Sequence, residues 1–148
     1  MYLDLQNTEN LTRFFDMIDY GPFYAAVGNI LENAVGMQFE SMGIYFNKTP
    51  WAPLAPATIK DRERKGFDTT SILRRTGGDA GLAGSITSEV DDNKITIGTN
   101  KYYAPFLQFG TSKMPARPFL PSVENGLPAE IMDEINATLA EFMLNALR

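Results

Sequence analysis

Residues 102–111 read YYAPFLQFGT, and residues 114–121 read MPARPFLP. Aromatic side chains dominate the first segment, which we predict to be buried and to form one or two helical turns over residues 102–109. Gly110 follows, and we expect it to adopt a backbone angle that other residues avoid. Proline fixes φ and lacks the N–H donor, so residues 115–121 are predicted to be an extended arm with edge-strand or polyproline geometry.

The segments before this stretch change from a helical to a strand periodicity. Apolar residues recur at steps of four and three between Phe23 and Met37, which predicts a helix from Pro22 to about residue 42. Alternation over residues 85–90 and 94–98 predicts two strands joined by a hairpin turn. The predicted polar face of the helix consists of Asn29, Glu32, Asn33 and Gln38.

A second amphipathic helix is predicted to begin at Pro128 and to end the chain. The order of helices, hairpin, strand-like segment and helix predicts an α+β fold. In this prediction a small, mainly antiparallel sheet consists of the hairpin 85–98 and the edge segment 115–121. The sheet packs against the long helix of the N-terminal half and against the C-terminal helix.

The connections between these elements carry their own local signals. Prolines exclude a regular element from residues 43–56, and Trp51 is predicted to plug into the core and pin that loop. Residues 56–66 are predicted to form a polar helix that ends at its glycine. Residues 68–71 are expected to cap a short helix over residues 72–75.

The length and composition indicate one folded domain. The chain has 148 residues, of which 44% are hydrophobic and 21% charged, as in ordinary folded proteins. We predict a single domain over residues 1–148, with a lead-in at residues 1–20 that holds a short helix near residues 12–18. Residues 77–84 are predicted to be a flexible glycine-rich loop.

Charge and residue usage exclude several classes of function. The net charge of −5 and the pI near 4.7 argue against a general nucleic-acid binder, which needs a basic surface. The chain has no cysteine and no histidine, which removes thiol chemistry and the commonest general base and metal ligand. The sequence shows no signal peptide and no stretch long enough to span a membrane, so a cytoplasmic protein is expected.

The charged and glycine-rich segments can be explained by local structure, without a catalytic or ligand-binding role. Residues 77–84 follow a helical pattern and precede a strand, which is the wrong context for a phosphate-binding loop. The basic residues within 60–75, including Arg74 and Arg75, form either a phosphate or acidic-partner site or a solvated helix face with internal ion pairs. We therefore predict no catalytic, cofactor or metal site.

Arg117 and Gln108 are the polar residues of the opening stretch that stand out. Arg117 is either an exposed side chain on a proline-stiffened segment or an arginine held at a subunit boundary and paired with a neighbour's carboxylate. Gln108 lies between Leu107 and Phe109, so its amide is predicted to be partly buried and hydrogen-bonded. We expect Gln108 to lock the turn that follows it rather than to bind a ligand.

Four segments in a fixed order resemble a known protein family. Trp51–Leu54, Leu73–Ile86, Tyr103–Gly110 and Pro115–Leu120 match elements of the phage virion morphogenesis, or tail completion, proteins. The resemblance covers about half of the chain, from residue 50 to residue 121. One departure is the longer glycine-rich loop, which leaves the start of the first strand open.

The resemblance implies a structural phage protein that is not an enzyme. It implies action at the neck or tail end of the virion, in tail completion or head–tail joining, as a homo-oligomeric ring in contact with neighbouring phage neck and tail proteins. It implies no cofactor, no membrane, and localisation in the virion or, during assembly or from a prophage, in the host cytoplasm. A passing contact with DNA is left open. The candidate interaction residues are Arg117, Phe119, Gln108, Phe109, Trp51, Arg74 and Arg75.

The assembly hypothesis and its alternative make different experimental predictions. The assembly hypothesis predicts that changing Arg117 or Phe119 blocks assembly and leaves the monomer folded. The alternative is a nucleic-acid-contacting protein that uses the basic segment 60–75, and it predicts salt-dependent DNA binding.

Overall fold

The computed structural model describes residues 8–76 and 80–148 of the chain. These residues form an α+β fold in which a long helix packs against a two-stranded antiparallel sheet and a C-terminal helix. The predicted fold class is therefore confirmed. The helices are α1 (Thr8–Asp16), α2 (Gly21–Glu40), α3 (Ile44–Asn47), α4 (Pro56–Lys65), α5 (Ala104–Phe109) and α6 (Ala129–Ala146).

Helix α2 is the centre of the fold, close to the predicted range. Pro22 lies in its first turn, where the missing N–H costs no hydrogen bond. Val27, Ile30 and Ala34 face the core as predicted, whereas Met37 is largely exposed because it lies at the margin of the buried face. Helix α1 begins before the short helix that the sequence predicts in the lead-in.

The hairpin consists of β1 (Thr87–Asp91) and β2 (Lys94–Gly98), and the sheet of the described residues has these two strands. Both strands pack on α2. Glu32 on α2 accepts hydrogen bonds from the backbone N and the Oγ of Ser88, each at 2.6 Å. A Cβ at Gly28 would stand 2.5 Å from the Ser88 Oγ, so glycine permits this close approach of helix and sheet.

The segment 115–121 is not an edge strand, which corrects that part of the predicted sheet. The one backbone bridge nearby joins Thr111 to Met114, and residues 115–121 pair with neither strand. Prolines cannot donate to a strand ladder, so side chains from other elements hold this segment instead. Gly110 has φ +74°, as expected, and a Cβ there would stand 2.6 Å from the backbone N of Ala116.

Two local predictions among the connections are wrong. Residues 72–75 form turns rather than a helix, because Leu73 has a left-handed φ of +63°. The loop predicted over residues 43–56 contains the single helical turn α3. By contrast, α4 ends as predicted at Gly66, whose φ of +69° fits a left-handed C-cap.

The glycine-rich loop is described in part. Residues 77–79 lie outside the described residues, so the predicted flexibility of 77–84 stays a prediction. After them, Leu82 is buried in the core and Ala83–Ser85 forms a single 3-10 turn that leads into β1.

Helix α6 covers one side of α2 in the predicted position. Ile131 is its buried residue, and the ring of Phe142 packs 5.7 Å from Tyr20 and 5.8 Å from Phe23 between ring centres. Most of the remaining surface of α6 faces solvent. Apolar spacing predicts a stripe of Ile131, Ile135, Leu139, Phe142 and Ala146. Ile131 is buried, Ile135 and Phe142 are partly buried, and Leu139 and Ala146 are exposed, so the stripe is incompletely covered.

Candidate interaction surface

The backbone carbonyl of Pro118 accepts hydrogen bonds from three side chains. The indole Nε1 of Trp51 donates at 2.8 Å, the amide Nε2 of Gln38 at 2.9 Å and the amide Nδ2 of Asn47 at 3.3 Å. The three donors come from α2, α3 and the loop after α3. They fix one point of the proline-rich segment against the core.

Gln38 is fully buried, although the sequence analysis assigned it to the polar face of α2. Its Oε1 accepts a hydrogen bond from the backbone N of Phe46 at 2.8 Å, while its Nε2 donates to Pro118. Both ends of the amide are thus satisfied inside the protein, as a buried amide requires. The sequence carried a usable signal, since Gln38 lies one turn after Ala34, in phase with the apolar stripe.

Arg117 is buried, with 7% of its surface exposed, so the reading as an exposed side chain is wrong. Its Nε donates to the carbonyl of Ala52 and its Nη2 to the carbonyl of Pro53, both at 2.8 Å. Burial, and secondarily the charge of Arg62, lower the pKa of Arg117. Its predicted pairing with a neighbour's carboxylate stays a prediction, but two of its donors are already used within the chain.

Gln108 holds the same segment from the other side. Its Oε1 accepts hydrogen bonds from the backbone N of Phe119 and of Leu120, both at 3.0 Å. Its Nε2 donates to the carbonyl of Leu120 at 3.3 Å. The amide is hydrogen-bonded as expected, and it locks residues 119–120 rather than the turn at Gly110.

These side chains form one structural unit, which we call the clamp. It comprises Gln38, Asn47, Trp51, Gln108 and Arg117. Between them they bind the backbone of residues 118–120, and Arg117 ties the loop after α3 to this segment. Three of the four segments that carry the family resemblance therefore meet at the clamp.

Phe119 and Trp51 are core residues of this region rather than surface residues. Phe119 has 1% of its surface exposed, and its ring lies 5.7 Å from that of Phe39. Phe39 also packs edge-to-face on Trp51, with 5.7 Å between ring centres. A Cβ at Gly43 would stand 2.5 Å from the Trp51 ring, so this glycine gives the indole its space. A direct role of either aromatic in an interface stays a prediction.

An open apolar groove lies beside the clamp, and we call it the groove. Residues 98–102, 104–105, 108–109 and 119–123 line a space of about 600 Å³ between them. Tyr102 and Phe109 are exposed at 86% and 80%, and Val123 is fully exposed. Phe109, a predicted candidate, thus lies on an open surface.

The prediction that the segment 102–109 is buried is wrong for three of its four aromatic residues. Tyr102, Phe106 and Phe109 are all exposed, and they recur at steps of four and three. On and just before a helix this spacing places them on one face. The opposite face carries Ala104, which is buried. The periodicity that separates the two faces was present in the sequence.

Part of the basic segment serves the fold of its own loop. Arg62 is buried, and its Nη1 donates to the carbonyls of Asp68 and Ser71 at 2.8 and 2.9 Å. Burial lowers the pKa of Arg62. Arg75 stacks over the ring of Phe67, 4.1 Å from its centre. These contacts fold residues 67–75 back onto α4.

Three further basic residues of the segment also have partners inside the chain. Arg64 and Lys65 pair with Asp61 at 2.8 and 2.9 Å. The guanidinium of Arg74 lies 5.9 Å from the centre of the Phe39 ring. The basic segment is thus engaged at several separate places, and its use in DNA binding stays a prediction. Binding to duplex DNA at low salt would test it.

Residues 8–76 and 80–148 show neither a metal-binding cluster nor a membrane-spanning helix. That part of the chain contains no cluster of acids that could hold a metal ion. Within the same ranges, no helix combines the length and apolar character needed to cross a membrane.

Comparison with known proteins places the chain in a family. The phage virion morphogenesis family matches residues 6–147. Mu-like prophage FluMu G protein 1 of Haemophilus influenzae is 44% identical over 91 residues, which cover 62% of this chain and 60% of that protein. Mu-like prophage FluMu G protein 2 of the same organism is 27% identical over 88% of this chain and 93% of its own length. No solved structure matches.

These matches agree with the resemblance inferred from the motifs. The chain spans less than two thirds of the length of the first relative. The family and both relatives support a role in phage virion assembly. That the chain is not an enzyme stays a prediction, and the family description supports it. With a match over nearly its whole length, the chain belongs to the phage virion morphogenesis family.

Proposed function

We propose that this protein acts at the neck or tail end of the virion, where it completes the tail or joins it to the head as a homo-oligomeric ring. The observation that carries the proposal is the groove, an exposed apolar surface built on a rigid support. Membership of the family supplies the context of virion assembly. The neighbouring neck and tail proteins are the expected further partners.

The groove has the composition of a protein interface. Tyr102 and Phe109 are large and exposed and both line the groove, and Val123 adds further exposed apolar surface. Aromatic residues are enriched in interfaces, and contiguous apolar surface of this kind marks sites of interaction. An interface is the reading that explains why these side chains are left uncovered.

The clamp prepares the groove for binding. Phe119 and Leu120 line the groove, and Gln108 holds the backbone N of each at 3.0 Å. Helix α5 forms much of the other wall. Surfaces that are fixed before binding lose little conformational entropy on docking. A subunit that must fit the same place in every particle benefits from such preorganisation.

The ring follows from the kind of interface that a single groove implies. When a groove on one face is filled by a different surface of the next copy, the contact is heterologous and closes into a ring if the rotation allows. The net charge of −5 is compatible with a ring around DNA in which acids face the lumen, because an acidic lumen does not retain the phosphate backbone.

Deletion of the coding sequence from the phage genome tests the proposed function. Electron microscopy of the lysate should show DNA-filled heads and separate tails with no joined particles, and supply of the protein in trans should restore infectivity. Immunogold labelling of complemented particles should mark the neck or tail end. Normal infectious particles from the deletion strain, or label confined to another part of the particle, would contradict the proposal.

A further inference from the structure

Part of the apolar face of helix α6 is not covered by the fold. Met132 and Leu139 are 44% and 37% exposed, and Leu147, just past the helix, is 44% exposed. With Met143, which is half-buried, they recur at steps of seven and four, so they share one face of the helix. We call these four residues the α6 stripe. They adjoin the face of α6 that packs on α2, so the apolar surface of this helix is wider than the part that the fold covers.

The charges beside the two uncovered surfaces are opposite. The groove is lined by one charged residue, Lys101, and by no acid. Helix α6 contains four acids, Glu130, Asp133, Glu134 and Glu141, and no lysine or arginine. Asp133 lies next to Met132, and its side chain is exposed at the margin of the α6 stripe. Among the described residues, Lys101 makes no ion pair of its own.

The two surfaces lie on different parts of the same chain. None of the residues that line the groove belongs to α6, so a molecule does not fill its groove with its own helix. An apolar helix face that enters a hydrophobic groove is a common mode of recognition. When both halves belong to one chain, the contact is heterologous and propagates from copy to copy.

We propose that the α6 stripe of one copy lies in the groove of the next, with Asp133 facing Lys101 across the rim. This inference deepens the proposed function and rests on it, since it names the two surfaces that meet in the ring. The occupant of the groove is a second copy of this chain. Apolar contact supplies the affinity, and the charge pair orients the helix.

Cysteine cross-linking tests the contact directly, because the chain contains no cysteine of its own. A full-length double variant, Leu139→Cys with Phe109→Cys, is concentrated and oxidised. We expect a ladder of disulfide-linked dimers and larger species on a non-reducing gel, since a disulfide needs Cβ atoms within about 4.5 Å. The matched control replaces Phe109→Cys by Val90→Cys, which is 43% exposed on the hairpin and lies outside the groove.

A charge swap adds an independent readout. Lys101→Glu or Asp133→Lys alone should slow cross-linking by about two- to fivefold, as expected for an exposed ion pair, and the two together should restore the rate. No ladder above the level of the control pair at the highest concentration overturns the inference, as does a double swap that is slower than both single swaps. If immunogold labelling places the protein at the neck but the cross-link does not form, the proposed function stands and the α6–groove contact is wrong.

Discussion

The clamp and the groove lie side by side and have opposite characters. The clamp is buried and polar, and its side chains donate to and accept from the backbone of the chain itself. The groove is exposed and apolar, and its largest side chains contact little of the chain. The residues that look most like binding residues in the sequence thus hold the fold. The residues that are exposed and can bind a partner are the neighbouring aromatic residues Tyr102 and Phe109.

Gln38→Glu should break the clamp with the largest effect. The change is nearly isosteric, but it replaces the Nε2 donor by a carboxylate oxygen that faces the Pro118 carbonyl. An unpaired buried charge of this kind costs about 3–5 kcal/mol of the free energy of unfolding at pH 7. Urea unfolding followed by the fluorescence of Trp51, the single tryptophan, measures the loss.

The same variant carries a pH signature. Burial raises the pKa of the new carboxyl above its unfolded value of about 4.3, so the penalty is present above that pH and disappears as the pH falls below it. Gln38→Met, which removes the amide without adding a charge, is the control and should show a loss that does not depend on pH. A pH-independent loss in Gln38→Glu would mean that residue 38 is not in a buried site.

Arg117→Ala should have the second largest effect. It leaves the carbonyls of Ala52 and Pro53 without their donors, which costs about 2–3 kcal/mol for hydrogen bonds to a charged group. Arg117→Lys should recover less than half of this, because an ammonium group cannot reproduce the fork. The hypothesis drawn from the sequence expects a folded Arg117→Ala monomer that fails to assemble. Chemical denaturation decides between the two expectations.

Tyr45→Phe should have a small effect at pH 7 and a larger one in alkali. Burial, with the nearby carboxylates of Glu130 and Glu134, raises the pKa of Tyr45 to about 12 from its usual 10.0. The unfolded chain therefore loses this proton first, and the folded state loses stability between pH 10 and pH 12. Tyr45→Phe should stay within about 1 kcal/mol of the parent at pH 7 and should lack this part of the alkaline loss. If Tyr45→Phe loses as much stability in alkali as the parent protein does, the loss does not come from Tyr45.

Phe109→Ser should have the smallest effect on the monomer. The ring is 80% exposed, and surface changes of this kind alter the free energy of unfolding by less than about 0.5 kcal/mol. Self-association should weaken instead, which light scattering across a range of concentrations measures. Val90→Ser is the matched control, since it removes an exposed apolar side chain outside the groove.

The sequence was sufficient for elements whose periodicity is local. The phase of α2, the hairpin and the burial of Trp51 follow from apolar spacing, turn residues and flanking prolines, and all three predictions are confirmed. The course of residues 115–121 could not be predicted in the same way. Prolines remove the strand ladder, and the replacement contacts come from Gln38 and Trp51, which are 80 and 67 positions away in the chain.

The candidate site shows the same division. Arg117 and Gln108 stood out by residue type, but their partners are backbone atoms of distant segments, which no local pattern announces. Phe109 is a candidate from its place in the motif. The spacing of Tyr102, Phe106 and Phe109 places them on one face but does not predict its exposure, because the apolar face of a helix is ordinarily the buried one. Asn47 gave no signal, because its donation to Pro118 depends on a helical turn inside a predicted loop.

The most direct test of the difference between clamp and groove compares Arg117→Ala and Phe109→Ser in one experiment. Each purified variant is unfolded in urea, and its native mass is measured by light scattering under conditions in which the parent protein forms its largest species. We predict that Arg117→Ala loses about 2–3 kcal/mol of stability and that Phe109→Ser keeps its stability but forms smaller species. A stable Arg117→Ala protein together with an unfolded or fully assembling Phe109→Ser protein would contradict the assignment of the two regions.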